Sequence, residues 1–424
     1  MSAREEWSAR FEALVAAQRE PAWMTALRRR AWERFLELGL PDRRNERWKY
    51  TPLIGFGRQS FVTPEHVESE LQFAHDGLTA KATLATVNGL TALGASDLGR
   101  LGVDVAVRPL NEAWDDARAA LEARVDRLED GFEALSFAFA IDGAVVFIGN
   151  DVELEEPIQL VRRTLTPNAF APVLDHVVVG LRARAKVLVR YEDSAEGAFS
   201  GGLTELVVRD GGGLEHVILQ NESPKAWHVS NVHATLGRDA FVNSVTLAQG
   251  GRIGRHEYDV EILGQGSRVD LNSLSLGRGT QTLDHTTRIH HALPNCESGQ
   301  LCRTILDDSA HGVFSGMVKV AKDAQLTNAE QLNNNLLLTL EARADTRPQL
   351  EIAADDVKCG HGATIGQLSE DELFYMMSRA ISRDAARRLL IFGFAQEVVD
   401  SIQDGGLRAL ATRRLERWLG REDA

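Results

Sequence analysis

The densest chemistry in this chain lies near its end, in DDVKCGHGATIG (355–366). Cys359 and His361 are two residues apart, so in an extended segment both side chains face the same way. A thiolate beside an imidazole is a donor pair for a soft metal ion. Gly360, Gly362 and Gly366 keep the backbone thin and permit close approach by another chain. The same letters also describe an inert small thiol beside a surface turn histidine, and spacing alone leaves both open. His290-His291 and the pair Cys296/Cys302 are weaker candidates, set in stretches that read as core or turn. Asp307-Asp308 and Asp355-Asp356 are the paired carboxylates. Neighbours on a strand point to opposite faces, so neither pair alone supplies an acid and a base at the separation glycoside cleavage needs. Such pairs belong in turns, where aspartate bonds its own backbone.

Other catalytic signatures are missing. There is no GxxxxGKS/T phosphate loop, no strand-linked GxGxxG and no GxSxG elbow, so no nucleotide site is expected in this chain. Gly211-Gly212-Gly213 reads as a turn. Three cysteines without a CxxC pair exclude a zinc or iron–sulfur site built from four cysteines of this chain. Lys and Arg number 47 against 61 Asp and Glu, a net charge of −14 over 424 residues. That sign disfavours nucleic acid and anionic membrane as partners. Too few cysteines for a disulfide framework, no apolar leader in MSAREEWSARFEALV and no long apolar run make a cytoplasmic protein the expectation.

A donor pair has to be held by something, and the chain divides into helical ends and a repetitive middle. Trp7, Phe11, Leu14 and Val15 share one helix face. Pro21 opens a second helix with the stripe Met24, Leu27, Ala31, Phe35 and Leu38, ended by Gly39 and Pro41. This helical region is taken as 1–56. A mixed α/β lead-in follows over 57–144, with strand-like TLATVNG (83–89) and VDVAVRP (103–109) and a helix over 111–128.

From 145 to 365 short alternating runs are punctuated by Gly, Asp and Asn. A small residue followed by a strand recurs at Ala185, Gly213, Ala240, Ser267 and Ala324, at steps of 28, 27 and 27 and then a double step of 57 with one coil near Cys296 poorly matched. Between these runs lies a second series: VSNVHATL, YDVEIL, TTRIHHAL, GVFSGMVKV and NNNLLLTL. Strands at such a period without helices between them stack as a parallel β-helix, whereas a β-sandwich would show hairpin turns every 8–12 residues. Asn333-Asn334-Asn335 fits a turn in this scheme.

Helices return over 366–424. SEDE (369–372) is a capping box, Ser382 caps a longer helix with Leu390, Phe394, Val398 and Ile402 on one side, and Gly405-Gly406 stops it before LRALATRRLERWL (407–419). The expected fold class is therefore mainly β: a right-handed parallel β-helix core flanked by N-terminal and C-terminal α-helical regions.

Three segments together resemble a known family. LPDRRNERWKYTPL (40–53), DTRPQLEIAADDVKCGHGATIGQLSEDELFYMMSRAIS (345–382) and ARRLLIFGFAQEVVDSI (386–402) are similar to signatures of the SufB/SufD family of iron–sulfur cluster assembly scaffold proteins. SufB chains typically carry an acidic residue after the equivalent histidine and more cysteines, so Gly362 favours the SufD branch. The resemblance implies a parallel β-helix core and a non-catalytic scaffold. It implies a heterodimer with a SufB homologue through the β-helices, or a homodimer in isolation. The SufC ATPase would dock on the C-terminal helices. A nascent iron–sulfur cluster would be held transiently and shared with SufB, with Cys359 and His361 as candidate ligands. Gly360, Gly362, Phe374, Tyr375 and Phe394 are the candidate interface residues. The alternative is a β-helix carbohydrate-active enzyme, a polysaccharide hydrolase or lyase using Asp307 or Asp308. A metal-free interaction module stays open as well.

Overall fold

The computed structural model describes residues 3–53, 55–64, 77–99 and 101–420. Two helices open the chain, α1 (Ala3–Ala17) and α2 (Ala22–Leu38). Trp7, Phe11, Leu14, Met24, Leu27, Ala31 and Phe35 are buried, so the apolar stripes face inward. The carbonyl of Pro21 receives the first amides of α2, and Gly39, at φ 68°, ends it by donating to Phe35. Then come β1 (Ala82–Val87), β2 (Leu90–Thr91), β3 (Val105–Pro109), α3 (Trp114–Val125) and α4 (Gly131–Phe139).

The middle of the chain alternates between two sheets. Its strands are β4 (Gly143–Ile148), β5 (Ile158–Arg163), β6 (Val173–Val179), β7 (Arg184–Glu192), β8 (Phe199–Val208), β9 (Gly213–Asn221), β10 (Trp227–Leu236) and β11 (Phe241–Gln249). They continue as β12 (Ile253–Ile262), β13 (Arg268–Gly277), β14 (Thr282–His291), β15 (Glu297–Leu306), β16 (His311–Val320), β17 (Asn328–Leu337), β18 (Arg343–Ile352) and β19 (Lys358–Gly366). Odd-numbered strands from β5 to β19, with β1 and β2, form a ten-stranded sheet. Even-numbered strands from β4 to β18, with β3, form a nine-stranded one. All pairings from β4 onward are parallel, apart from the antiparallel contact of β4 with β3. The result is a parallel β-solenoid with one strand per sheet in each coil.

Registered positions Gly213, Phe241, Arg268, Glu297, Asn328 and Lys358 succeed one another at 27 to 31 residues, which is the sequence period. The coil poorly matched in sequence is β15, with Cys296 before it in the place of Ser267. The end of the repeat departs from the sequence reading. The strand parts of NNNLLLTL and AQLTNAEQL form the single strand β17, Asn328–Leu337, of the ten-stranded sheet, and the other sheet is continued by β18. The asparagines are therefore not a turn. Asn333 donates to the Cys302 carbonyl at 3.2 Å and Asn335 to the Thr364 carbonyl at 3.0 Å, so their amides stitch β17 to its neighbours. Helix α4 was not expected either. Its apolar letters suit a fully buried helix, and Asp130 caps it by accepting from Phe132 N at 2.7 Å.

Helices pack on both outer faces. On the nine-stranded side, Trp48, Phe56, Phe61, Phe132, Phe170, Phe199 and Trp227 make one aromatic cluster joining the N-terminal layer to the solenoid. Trp48 Nε1 donates to Asp130 at 2.6 Å, so the cap and the aromatic layer are locked together. Arg28, wholly buried, donates to the carbonyls of Ala138 and Ala140 at 2.8 and 2.7 Å and pairs with Glu20. On the ten-stranded side lie α5 (Glu370–Ser378), α6 (Arg383–Asp400) and α7 (Gly405–Trp418). Ser369 and Ser382 cap as expected. Gly405 begins α7 instead of ending α6, because Asp404 caps the new helix through Leu407 N at 2.9 Å. Glu215 receives Gln403 N at 2.5 Å, Lys186 reaches Asp404 at 2.8 Å, and Arg414 pairs with Glu192.

Inward-facing positions between the sheets carry a file of polar groups. Glu222 meets His228 Nδ1 at 2.9 Å, the His228 and His256 rings lie 4.7 Å apart at a tilt of 39°, and Tyr258 joins Ser244 at 2.9 Å beside His216. Burial pushes His216, His285 and His291 down to about 4 from 6.5.

Two outcomes follow from this packing. Phe56→Ala should lower stability by about 3–5 kcal/mol in urea unfolding, since it empties the centre of the aromatic cluster. The unfolded chain binds protons at its buried histidines that the fold refuses, so stability should be full above about pH 6.5 and fall towards about pH 4. Urea midpoints measured across that window should show the decline, and His285→Gln should flatten it.

Candidate functional site

The last coil is built differently from the rest. β18 pairs with β16, β19 pairs with β17, and no further strand lies beyond either among the described residues. Side chains on inward positions of β19 therefore look out of the open end of the solenoid. Register assigns those positions: Cys359 beside Ala329, His361 beside Gln331 and Ala363 beside Asn333, all three partners being buried. Cys359 and His361 thus share one face, as their spacing requires. The thiol is half-buried against Val318, Val320, Ala329 and Ala354, and His361 is exposed. Burial raises the Cys359 thiol above its ordinary value, with the Ala329 backbone acting in the opposite direction.

Beneath His361 the interior stays polar. Gln331 is fully buried and neither atom of its amide has a hydrogen-bond partner. A Cβ on Gly316 would sit 2.0 Å from Gln331 Nε2, so the glycine makes room for that amide. By contrast, a Cβ on Gly360 would meet nothing within 4 Å, and one on Gly362 would touch only Leu332 Cδ2 at 3.2 Å. Nothing in this chain's own packing calls for a glycine at 360. No group of three or more His, Cys, Asp or Glu is disposed to hold a metal ion among the described residues.

The remaining candidates scatter. Cys302 lies inside the solenoid, fully buried, its thiol pushed up to about 12 by desolvation. Cys296 is buried at a turn and donates to the Gly264 carbonyl at 3.3 Å. His291 faces inward and meets Ser298 at 2.9 Å, while His290 faces out and meets Glu261 at 2.8 Å. Asp307 and Asp308 occupy the turn after β15, where they accept from the amides of Asp308 and Gly279 at 3.0 and 2.9 Å. Asp355 and Asp356 lie in the turn before β19, and the Asp356 amide is held by Gln325 at 2.8 Å. Both pairs lie in turns, as their spacing suggested.

Around the open end lies an apolar border. Phe374 and Tyr375 on α5 are 72% and 61% exposed, with Met377 beside them. Phe394 behaves otherwise: it is half-buried on α6 under the Arg303 guanidinium, 4.7 Å from the ring centre, and belongs to the helix–sheet contact. Leu340 and Ile365, not singled out by sequence, also stand exposed at this end.

With this geometry in view, the comparisons with known proteins are direct. The family model for the SUF system FeS cluster assembly SufBD core domain matches residues 169–394, and that for the SufBD N-terminal region matches 6–160. The chain belongs to the SufBD family. The Escherichia coli iron-sulfur cluster assembly protein SufD is 30% identical over 99% of this chain and 97% of its own length. A Synechocystis iron-sulfur cluster assembly SufBD family protein is 30% identical over 86% of this chain and 84% of its own. The Bacillus subtilis SufD is 26% identical over 94% of each. The SufBD core match covers the solenoid from β6 through β19 and ends within α6, so Cys359 and His361 fall inside it. No helix of the described residues is long and apolar enough to cross a membrane.

The burial of the three thiols sets an order of reactivity. In native protein at pH 8, iodoacetamide should label Cys359 first, Cys296 far more slowly and Cys302 only after unfolding. Peptide mass spectrometry over a time course reads this directly, and early labelling of Cys302 would contradict the inward placement of β15.

Proposed function

We propose that this SufBD chain is a non-catalytic, cytoplasmic scaffold subunit of the Suf assembly complex. It pairs with a SufB homologue through the open end of its solenoid and binds the SufC ATPase through the C-terminal helical region. It offers Cys359 and His361 to a nascent iron–sulfur cluster at the junction. One observation supports this reading: the two residues sit on the inward face of the terminal coil, where the sheets end in edges unpaired among the described residues.

The chemistry is consistent with a shared site. A thiol and an imidazole supply two ligands, whereas a cluster needs about four, so the others come from the partner or from the cargo itself. Binding requires the thiolate, and a half-buried thiol with a raised pKa gives up its proton most readily when a cation approaches it. Strand edges supply the docking chemistry. Rows of unpaired amides and carbonyls on β18 and β19 can continue each sheet into a second solenoid. The absence of anything near a Cβ at Gly360 fits a backbone kept thin for the partner's approach. In isolation the same edges can pair with a second copy. Exposed Phe374 and Tyr375 suit the ATPase contact, being large aromatic anchors on a helix outside the solenoid. ATP hydrolysis belongs to that partner, and this chain moves the cargo rather than transforming it.

Co-expression with SufB and SufC homologues tests each part separately. Cys359→Ala and His361→Ala should leave the complex intact and lower cluster yield by about tenfold, read from visible absorbance after anaerobic purification. Gly360→Trp should fold normally but lose the SufB homologue. Phe374→Asp with Tyr375→Asp should lose the ATPase and keep the SufB homologue. Full cluster yield in both Cys359→Ala and His361→Ala would remove them from the site.

A further inference from the structure

The outer face of the nine-stranded sheet is not wholly covered by the N-terminal helices. A groove of about 600 Å³ runs between α3 and the strands β3, β4, β6 and β8. That is the size of a small-molecule site, and its walls have the composition of one. Its floor is a registered row across four strands, Ala106, Phe147, Val178 and Val207. Its opposite wall is the α3 face carrying Ala119 and Ala120, whose short side chains hold the groove open. Phe147 lies in the middle of this floor and is still 37% exposed.

Polar groups converge at its margin. Arg108 and Arg209 line the groove, and the carboxylate that lines it with them, Asp116, is already paired with Arg108. The Glu205 carboxylate, registered next to His176, is engaged by Arg124 at 2.5 Å. The Arg209 side chain has no ion pair or hydrogen bond among the described residues, and it is exposed. His176 lines the same groove, is more than nine-tenths buried, and its Nδ1 has no hydrogen-bond partner. Burial lowers the pKa of that imidazole, so it is a neutral polar group at the edge of an apolar floor. A chain of net charge −14 thus carries here an apolar trough bordered by an unneutralised guanidinium.

We infer that this groove binds a small amphiphilic anion, a compound with an aryl or alkyl body and one acidic headgroup. The body covers Phe147, Val178 and Val207, and the headgroup meets Arg209. This site lies on the outer face of the N-terminal coils, whereas Cys359 and His361 lie on the terminal coil.

Fluorescence titration of the full chain tests it with two probes of one shape, 8-anilinonaphthalene-1-sulfonate and its uncharged analogue N-phenyl-1-naphthylamine. The wild type should bind the sulfonate at one site and release it to decanoate. Ala119→Trp, on an exposed helix position, should fill the groove and weaken both probes by about tenfold, with an unchanged circular dichroism melt. Arg209→Glu should weaken the sulfonate by about tenfold and leave the uncharged probe within about twofold. Wild-type titration in Ala119→Trp would overturn the site. Equal response of the two probes to Arg209→Glu would overturn its selection for an anion, even if Ala119→Trp failed to fold.

Discussion

Every coil of a parallel solenoid takes its backbone hydrogen bonds from the coils on either side, and most of this molecule follows from that dependence. A strand cannot satisfy its amides and carbonyls within itself. Stacking solves the problem for each interior coil and postpones it at the ends. At the N-terminal end the chain solves it locally: β2 and β3 run antiparallel to β1 and β4 and close the first coils. At the C-terminal end no such closure exists among the described residues, and β18 and β19 remain edges. Soluble proteins ordinarily blunt edges of this kind. Leaving two long ones side by side is therefore a feature requiring a purpose.

The flanking helices are consequences of the same geometry. Each sheet has an outer face that has to be covered, and the two faces are covered by different chemistry. The nine-stranded side uses aromatic packing around Phe56 and Phe132 together with the Trp48–Asp130 contact. The ten-stranded side uses aliphatic contacts from α6 and α7, pinned by Glu215, Lys186 and Arg414. These pins act on the loop between α6 and α7 and on α7 itself, leaving α5 with one buried residue and an outward aromatic face. Stability accordingly resides in the solenoid and its near helices, while the parts that face outward at the open end contribute little to it. That division would let the partner proposed above engage the open end without unsettling the core.

Much of this was legible in the letters. The period survived because small residues before each strand have to fit a tight corner: Gly212, Ala240 and Ser267 occupy it, with Gly213 one residue further on, in register with Phe241 and Arg268. It broke where the corner lengthened: three additional residues before Asn328 put Ala324 out of register and split one strand into two apparent ones. Asn333 to Asn335 misled for a related reason. Asparagine suggests a turn when its amide has only local backbone to bond, but inside a stack the neighbouring coil offers carbonyls, and Asn335 uses one. Helix α4 escaped because it is only nine residues long and buried throughout, so no solvent-facing polar stripe marks it in the letters. The spacing of Cys359 and His361 predicted their common face. It carried no information about the coil being terminal, because that depends on whether another coil stacks against β19 in space, and residue spacing within one strand is silent on stacking.

On the function proposed above, the two-residue donor set at the sheet edge is incomplete by construction, and the incompleteness would have a thermodynamic use. A site with four ligands in one chain would hold a cluster tightly whether or not a recipient were present. On that proposal, with two ligands here and the others elsewhere, affinity would exist only while the edges are joined, since joining would bring the donor sets together at high effective concentration. Any event that loosened the joint would then lower affinity for the cargo without altering a single ligand. The apolar helix face beside the edge is where such an event would be applied, because α5 buries only Leu373 and stands next to the segment leading out of β19. Assembly and release of a labile cargo would then be governed by the geometry of the joint rather than by the strength of any one bond.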